Sequence, residues 1–229
     1  MAKDAYPKDM PTRVGRYAVQ RLIARGGMGS VYLARLEGEQ GFGKWVAVKT
    51  VFRDDADDPH FRAAFANEAQ LCARIDHPNV CQVFDFGEQD GVPFLAMEYL
   101  DGRPVSALIS ACARKGETLP RSIAARVIAD AARGLHAAHE LRTEEGANAE
   151  VVHRDVSPQN LFVLFSGVTK VVDFGIARSK GRTTEKTARG MVKGKLAYMA
   201  PEQANEQPID RRADVYALGV VLWELLTGQ

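Results

Sequence analysis

Asp173, which opens Asp173-Phe174-Gly175, follows by 13 residues the asparagine that closes His153-Arg154-Asp155-Val156-Ser157-Pro158-Gln159-Asn160. No other feature of the chain restricts its fold as much. These two polar stretches put a carboxylate, Asp155, and two hard oxygen donors, Asn160 and Asp173, on loops that a fold must bring to one place. Transfer of a phosphoryl group asks little covalent work of a protein. It needs a carboxylate beside the attacking hydroxyl and oxygen ligands for magnesium. Asp155 suits the first role. Asn160 and Asp173 suit the second, with manganese as the alternative cation.

Upstream, Ala24-Arg25-Gly26-Gly27-Met28-Gly29-Ser30-Val31 offers backbone N–H groups with few obstructing Cβ atoms, as a loop closing over phosphates requires. By itself it also fits a bare hairpin turn. A dinucleotide-binding loop would be followed by a helix and by an acidic residue about 20 positions on. Here the chain runs on as a strand through Val31, Tyr32 and Leu33 and presents Lys49 instead. In Val46-Ala47-Val48-Lys49 the valines share one face, while Ala47 and Lys49 share the other. Ala47 is small enough to admit a flat base. A helix follows with Phe61, Phe65, Glu68, Cys72 and Ile75 at helical spacing. Glu68 is the charged member of this apolar stripe, and an isolated buried carboxylate costs several kcal/mol. Lys49 and Glu68 are therefore expected to pair, leaving the lysine aimed at phosphate oxygens.

The remaining pattern is α+β. Residues 1–15 read as a leader. Tyr17–Thr50 is strand-like, with turns at Arg25–Gly29 and Gly38–Gly43, and Val80–Tyr99 is a hairpin turning at Gly87–Gly91. A second region starts at Arg103-Pro104. It has a helix over Ser122–Glu140 with Ile123, Val127, Ala131, Leu135 and Ala138 on one face, then short strands at Leu161–Phe165 and Lys170–Val172. A basic loop covers Ala177–Lys195, and an apolar helix over Val215–Leu226 reads as buried. Asp85-Phe86-Gly87 repeats the later tripeptide, but inside the hairpin, so a plain strand-and-turn role is expected. The 30 basic and 29 acidic side chains give no reason to expect nucleic acid or a membrane as partner. Three cysteines, an odd number without metal spacing, suit a reducing cytosol. No apolar run approaches the roughly 20 residues of a membrane span, and Met1–Pro11 lacks the apolar core of a signal peptide. A cytoplasmic location is expected.

With these residues in place, the chain from about Tyr17 to Gln229 resembles a protein kinase, closest to the bacterial serine/threonine kinases. The motifs fall in that family's order: the glycine loop, Val46-Ala47-Val48-Lys49, Glu68, Met97-Glu98-Tyr99-Leu100, His153-Arg154-Asp155, Asp173-Phe174-Gly175 and Ala200-Pro201-Glu202-Gln203. Asp214 and Gly219 stand where the family has a buried aspartate and a glycine in a central helix. The resemblance implies a two-lobed fold, with a small antiparallel β lobe and one key helix over 16–100 and a mainly helical lobe over 101–229. It implies ATP and a protein substrate, with Met97 guarding the adenine pocket and the backbone of Glu98 and Leu100 holding the base. Ala24, Arg25, Gly26, Gly27, Gly29, Val31, Ala47 and Lys49 complete the expected nucleotide contacts.

Four departures from the family pattern matter. Ala24 replaces the first glycine of the loop. Ser157 stands where a lysine usually neutralises the transferring phosphate, and Lys195 stands where threonine is usual. Lys195 is expected to supply the cation that Ser157 cannot. The chain also stops at Gln229, where the family continues with further helices, so it reads as truncated. Thr183, Thr184 and Thr187 lie among Arg178, Lys180, Arg182, Lys186, Arg189 and Lys193. Self-phosphorylation there, at Thr187 by preference, would add about −1.5 to −2 charge and order the loop. The alternative is a nucleotide-binding pseudokinase or scaffold, weakened by Ser157 and by the truncation.

Overall fold

Period-two alternation in the first hundred residues becomes an antiparallel sheet in the computed structural model, which describes residues 10–26, 29–52, 56–174 and 196–229 and all their side chains except that of Glu68. The chain divides into two units. One holds Met1–Ala73 and Val83–Tyr99, the other Arg74–Gln82 and Leu100–Gln229. Arg74–Gln82 thus belongs with the second unit, although it lies inside the 16–100 stretch.

The first unit is built on β1 (Arg13–Val14), β2 (Tyr17–Arg25), β3 (Gly29–Glu37), β4 (Gly43–Val51), β5 (Val83–Gln89) and β6 (Val92–Glu98), in sheet order β1-β2-β3-β4-β6-β5. Its register sorts the residues into two faces, because directly paired residues of antiparallel strands lie on the same side. Tyr32 pairs with Val48 and Val48 with Ala96, while Ala34 pairs with Val46. Val46, Val48, Ala34 and Ala96 form the core of this unit with Val14, Tyr17, Val19 and Phe94. Tyr17 and Phe94 meet edge to face at 6.2 Å. The hairpin joining β5 and β6 turns at Asp90-Gly91, both at positive φ (53° and 79°), the conformation a two-residue hairpin demands. The turn is therefore narrower than Gly87–Gly91. Gly87 lies within β5, and a Cβ there would sit 2.6 Å from the Phe94 ring.

Helix α1 (Pro59–Ala73) packs on β5 through Phe65, whose ring centroid lies 5.7 Å from that of Phe86. Among its described side chains, Phe61, Phe65, Ala69 and Cys72 are buried. Asp85 of the upstream tripeptide accepts the Tyr17 hydroxyl at 2.8 Å and pairs with Arg16 at 3.1 Å. It ties β2 to β5, a structural role.

The second unit contains β7 (Gly102–Pro104), α2 (Val105–Ala113), α3 (Arg121–His139), β8 (Leu161–Leu164), β9 (Thr169–Val171), the short α4 (Pro201–Ala204) and α5 (Arg212–Thr227). Strands β7, β8 and β9 form a small antiparallel sheet. Helix α3 buries Ala124, Val127, Ala131, Leu135 and Ala138, whereas Ile123, expected on that face, is 48% exposed. A 3.6-residue repeat carries the buried stripe to position 124 in the first turn, not 123. Gly134 lets the Asn79 carbonyl approach α3, since a Cβ at 134 would lie 2.4 Å from that oxygen. The same helix contributes Asp130, fully buried, which accepts from Arg126, Arg133 and the Thr169 backbone. Helix α5 is longer than expected and buries one face only. Ala213, Asp214, Ala217, Leu218, Val221 and Leu225 are buried, while Val215, Tyr216, Trp223 and Leu226 are exposed. The apolar run is therefore covered on one side only, not buried throughout. Its inward face packs on α3 and the 196–198 turn. No described helix is long and apolar enough to cross a membrane.

Candidate active site

In the first unit the sheet register gathers the expected nucleotide residues. Ala24 pairs with Val31, Val31 with Lys49, Leu33 with Ala47, and Ala47 with Met97. Ala24, Val31, Ala47, Lys49 and Met97 therefore share the face opposite the Tyr17–Phe94 core. This face presents small and apolar groups with one cation, which suits a flat base and its phosphates. Arg25 extends over the Phe52 ring at 5.7 Å. Gly26 donates its N–H to the Gly29 carbonyl at 2.9 Å, closing the loop on itself. Gly29 has a packing reason to be glycine, since a Cβ there would meet the Thr50 carbonyl oxygen at 1.8 Å. Glu98 ends β6, and Leu100 begins the larger stretch of the second unit. Gly27 lies outside the described residues, as does the side chain of Glu68, so its pairing with Lys49 stays an expectation.

In the second unit the catalytic loop is suspended from a buried carboxylate. Asp214, 1% exposed, accepts the backbone N–H of His153 and of Arg154, each at 2.8 Å. It also accepts Nε2–H of His139 at 2.7 Å. Arg154 has φ +62°, a left-handed conformation that costs on the order of 1 kcal/mol or more and persists only where the surroundings impose it. The Asp155 N–H donates to His153 Nδ1 at 3.2 Å, so Nε2 carries the ring hydrogen and donates to the Val172 carbonyl at 2.9 Å. His153 is fully buried, with its ring 4.7 Å from that of Phe174.

The metal-ligand candidates are joined to this loop. Asn160 Nδ2 donates to the Asp155 backbone oxygen at 2.8 Å and to its Oδ2 at 3.0 Å. The Val172 N–H donates to the Asn160 carbonyl at 3.0 Å, which holds the segment leading into Asp173 against the loop. Asp173 itself has φ +54°. With its nitrogen committed to Asp155, the Asn160 side chain has only its oxygen to offer a cation. Among the described residues no group of three or more His, Cys, Asp or Glu is gathered to hold a metal alone. A two-ligand set of hard oxygens fits magnesium, which is habitually held with substrate phosphates and water rather than by an all-protein cage.

Ser157 is 1% exposed, and its hydroxyl has no hydrogen-bond partner among the described residues. Position 157 thus offers no cation. Lys195, Thr183, Thr184 and Thr187 lie outside the described residues. Two partners of the site, His139 and Gln203, carry no role in the sequence reading. His139 had no signal beyond its place at the end of α3. Gln203, which closes the Ala200-Pro201-Glu202-Gln203 stretch, donates Nε2–H to the Arg154 carbonyl at 3.0 Å.

A sheet face carrying a lysine in one unit, and in the other a left-handed Arg-Asp loop hung from a buried aspartate, are elements of the protein-kinase fold. Residues 17–229 match the protein kinase domain family, and the chain belongs to it. The tyrosine-protein kinase MasK of Myxococcus xanthus is 45% identical over 213 residues, covering 93% of this chain and 33% of that protein. The serine/threonine-protein kinase PknB of Mycobacterium leprae is 36% identical over 218 residues, covering 93% and 33%. The crystal structure of the Mycobacterium tuberculosis PknI kinase domain superposes with a TM-score of 0.73 at 30% identity, covering 96% of this chain and 78% of that one. The chain spans about a third of the length of these curated relatives.

Proposed function

We propose that this domain transfers the terminal phosphoryl group of ATP to serine or threonine hydroxyls of a protein, with magnesium as the metal. One observation carries the reading: Asn160 Nδ2 grips both the backbone oxygen and Oδ2 of Asp155, which fixes a carboxylate beside a hard oxygen donor. Asp155 orients the attacking hydroxyl and takes its proton. Asn160 and Asp173 would hold the cation, and Lys49 the phosphates. When bound, magnesium supplies charge neutralisation on the phosphate oxygens. Lys195 is assigned the cationic role that the buried Ser157 does not fill.

Serine/threonine specificity is supported by the names of PknB and similar relatives. Tyrosine is the second reading, favoured by the name of MasK at 45% identity and by Ser157 in place of the lysine usual in serine/threonine kinases. The relatives named here are all called kinases, and nothing favours the inactive alternative. The test is transfer of labelled phosphate from ATP, with and without chelator, followed by phosphoamino-acid analysis. Phosphoserine or phosphothreonine, lost in Asp155→Asn, is expected. Transfer that survives Asp155→Asn refutes the mechanism, and label confined to tyrosine refutes the specificity.

A further inference from the structure

We propose that Gln203 is a positioning residue for the catalytic loop, its side-chain amide locking the peptide plane that immediately precedes Asp155. This rests on the reading of Asp155 as the group that orients the attacking hydroxyl.

Gln203 is the third residue of α4. Its Oε1 accepts the Ala200 N–H at 3.2 Å, while Nε2 donates to the Arg154 carbonyl at 3.0 Å. The two bonds determine the amide's orientation, since a flipped amide would set donor against donor and acceptor against acceptor. The Arg154 carbonyl belongs to the peptide unit whose N–H is that of Asp155, and that N–H donates to His153 Nδ1. One peptide plane is therefore held at both edges, by Gln203 on the oxygen and by His153 on the hydrogen. Arg154 itself is held left-handed through its N–H by Asp214. On the far side, Asn160 holds the Asp155 backbone oxygen and Oδ2.

Through this bond Gln203 ties the catalytic loop to the Ala200-Pro201-Glu202 segment. The 196–198 turn just before it has its own anchor, the Tyr198 hydroxyl donating to Glu224 of α5 at 2.5 Å. Without Gln203 the plane can tilt about the Cα154–Cα155 axis, and the Asp155 side chain swings with it. A misplacement of about 1 Å can cost on the order of 10²-fold in rate. Glutamine meets both demands at neutral pH. Glutamate keeps the acceptor but turns a carboxylate oxygen toward the Arg154 carbonyl.

The experiment compares Gln203→Met, which removes both bonds at similar volume, with Gln203→Glu, which removes only the donor until it is protonated. Both variants are expected to lower kcat by about 10-fold or more while KM for ATP stays within about two-fold of the parent. Hydrogen exchange of the 153–160 amides, measured without ATP, should be faster in both variants. If kcat and exchange both match the parent, the proposal is overturned. A parent that transfers no phosphate would instead refute the phosphotransfer reading, and the exchange measurement would still decide whether Gln203 holds the loop. Should Gln203→Met fail to fold, kcat and hydrogen exchange of Gln203→Glu decide.

Discussion

The Asp214 carboxylate accepts the backbone N–H of Arg154 at 2.8 Å and thereby stabilises a left-handed residue one position before Asp155. The same group takes a hydrogen from His139 and one from His153. Replacing one oxygen by an amide, as in Asp214→Asn, sets N–H against N–H at a site that is 1% exposed. Leaving such donors unsatisfied costs about 1–3 kcal/mol. The melting temperature should fall by roughly 2–10 °C, and kcat should fall while ATP affinity holds. Calorimetry and nucleotide titration check both, and an unshifted melting curve would contradict the suspension described here.

Gly29 and Gly26 sit in one loop but should respond differently to alanine. A Cβ at Gly29 meets the Thr50 carbonyl at 1.8 Å, whereas a Cβ at Gly26 meets nothing within 4 Å. Gly29→Ala should destabilise the protein by about 1–3 kcal/mol through overpacking. Gly26→Ala should leave the melting temperature unchanged. Denaturant unfolding of the two variants side by side would expose an error if they proved equally stable.

Lys195→Met tests the cation assignment that the burial of Ser157 motivates. Loss of such charge stabilisation should lower kcat by about 10²–10³, with thermal stability unchanged. A variant within a few-fold of the parent would return the role to another group.

His77 gives a pH dependence. Burial, then the Arg133 and Lys170 charges, hold its imidazole below the usual value. The unfolded chain, titrating near pH ~6.5, therefore binds more protons than the folded one as pH drops. This contribution is intact above about pH 6.5 and is lost as pH falls toward the depressed folded value. His77→Gln should retain an acceptor for the Asn79 N–H, which His77 Nδ1 now accepts at 3.1 Å. It should also lose less stability than the parent between about pH 6.5 and 5. Parallel stability curves would show that His77 contributes nothing to the acid limb.

Much of the site was legible because it depends on short-range periodicity. Alternation alone puts Ala47 and Lys49 on one strand face and Val46 and Val48 on the other, as the pairing shows. The 13-residue spacing of Asn160 and Asp173 spans one short hairpin, β8 to β9, which returns Val172 to the Asn160 carbonyl. Helical periodicity was less reliable where several small apolar residues competed. In α3 it assigned Ile123 to the buried face that Ala124 occupies. In α5 an almost wholly apolar sequence concealed which side would be covered.

By itself the sequence determined which groups are available for the chemistry and which of them share a strand face or a loop. Those properties follow from backbone geometry over a few residues. Tertiary structure alone decided what holds those groups in place. Asp214 meets His139 across 75 positions, Gln203 meets Arg154 across 49, and Asp85 meets Tyr17 across 68. No local periodicity encodes such pairs. They form because a buried donor or acceptor must find a partner in whatever segment packing brings beside it.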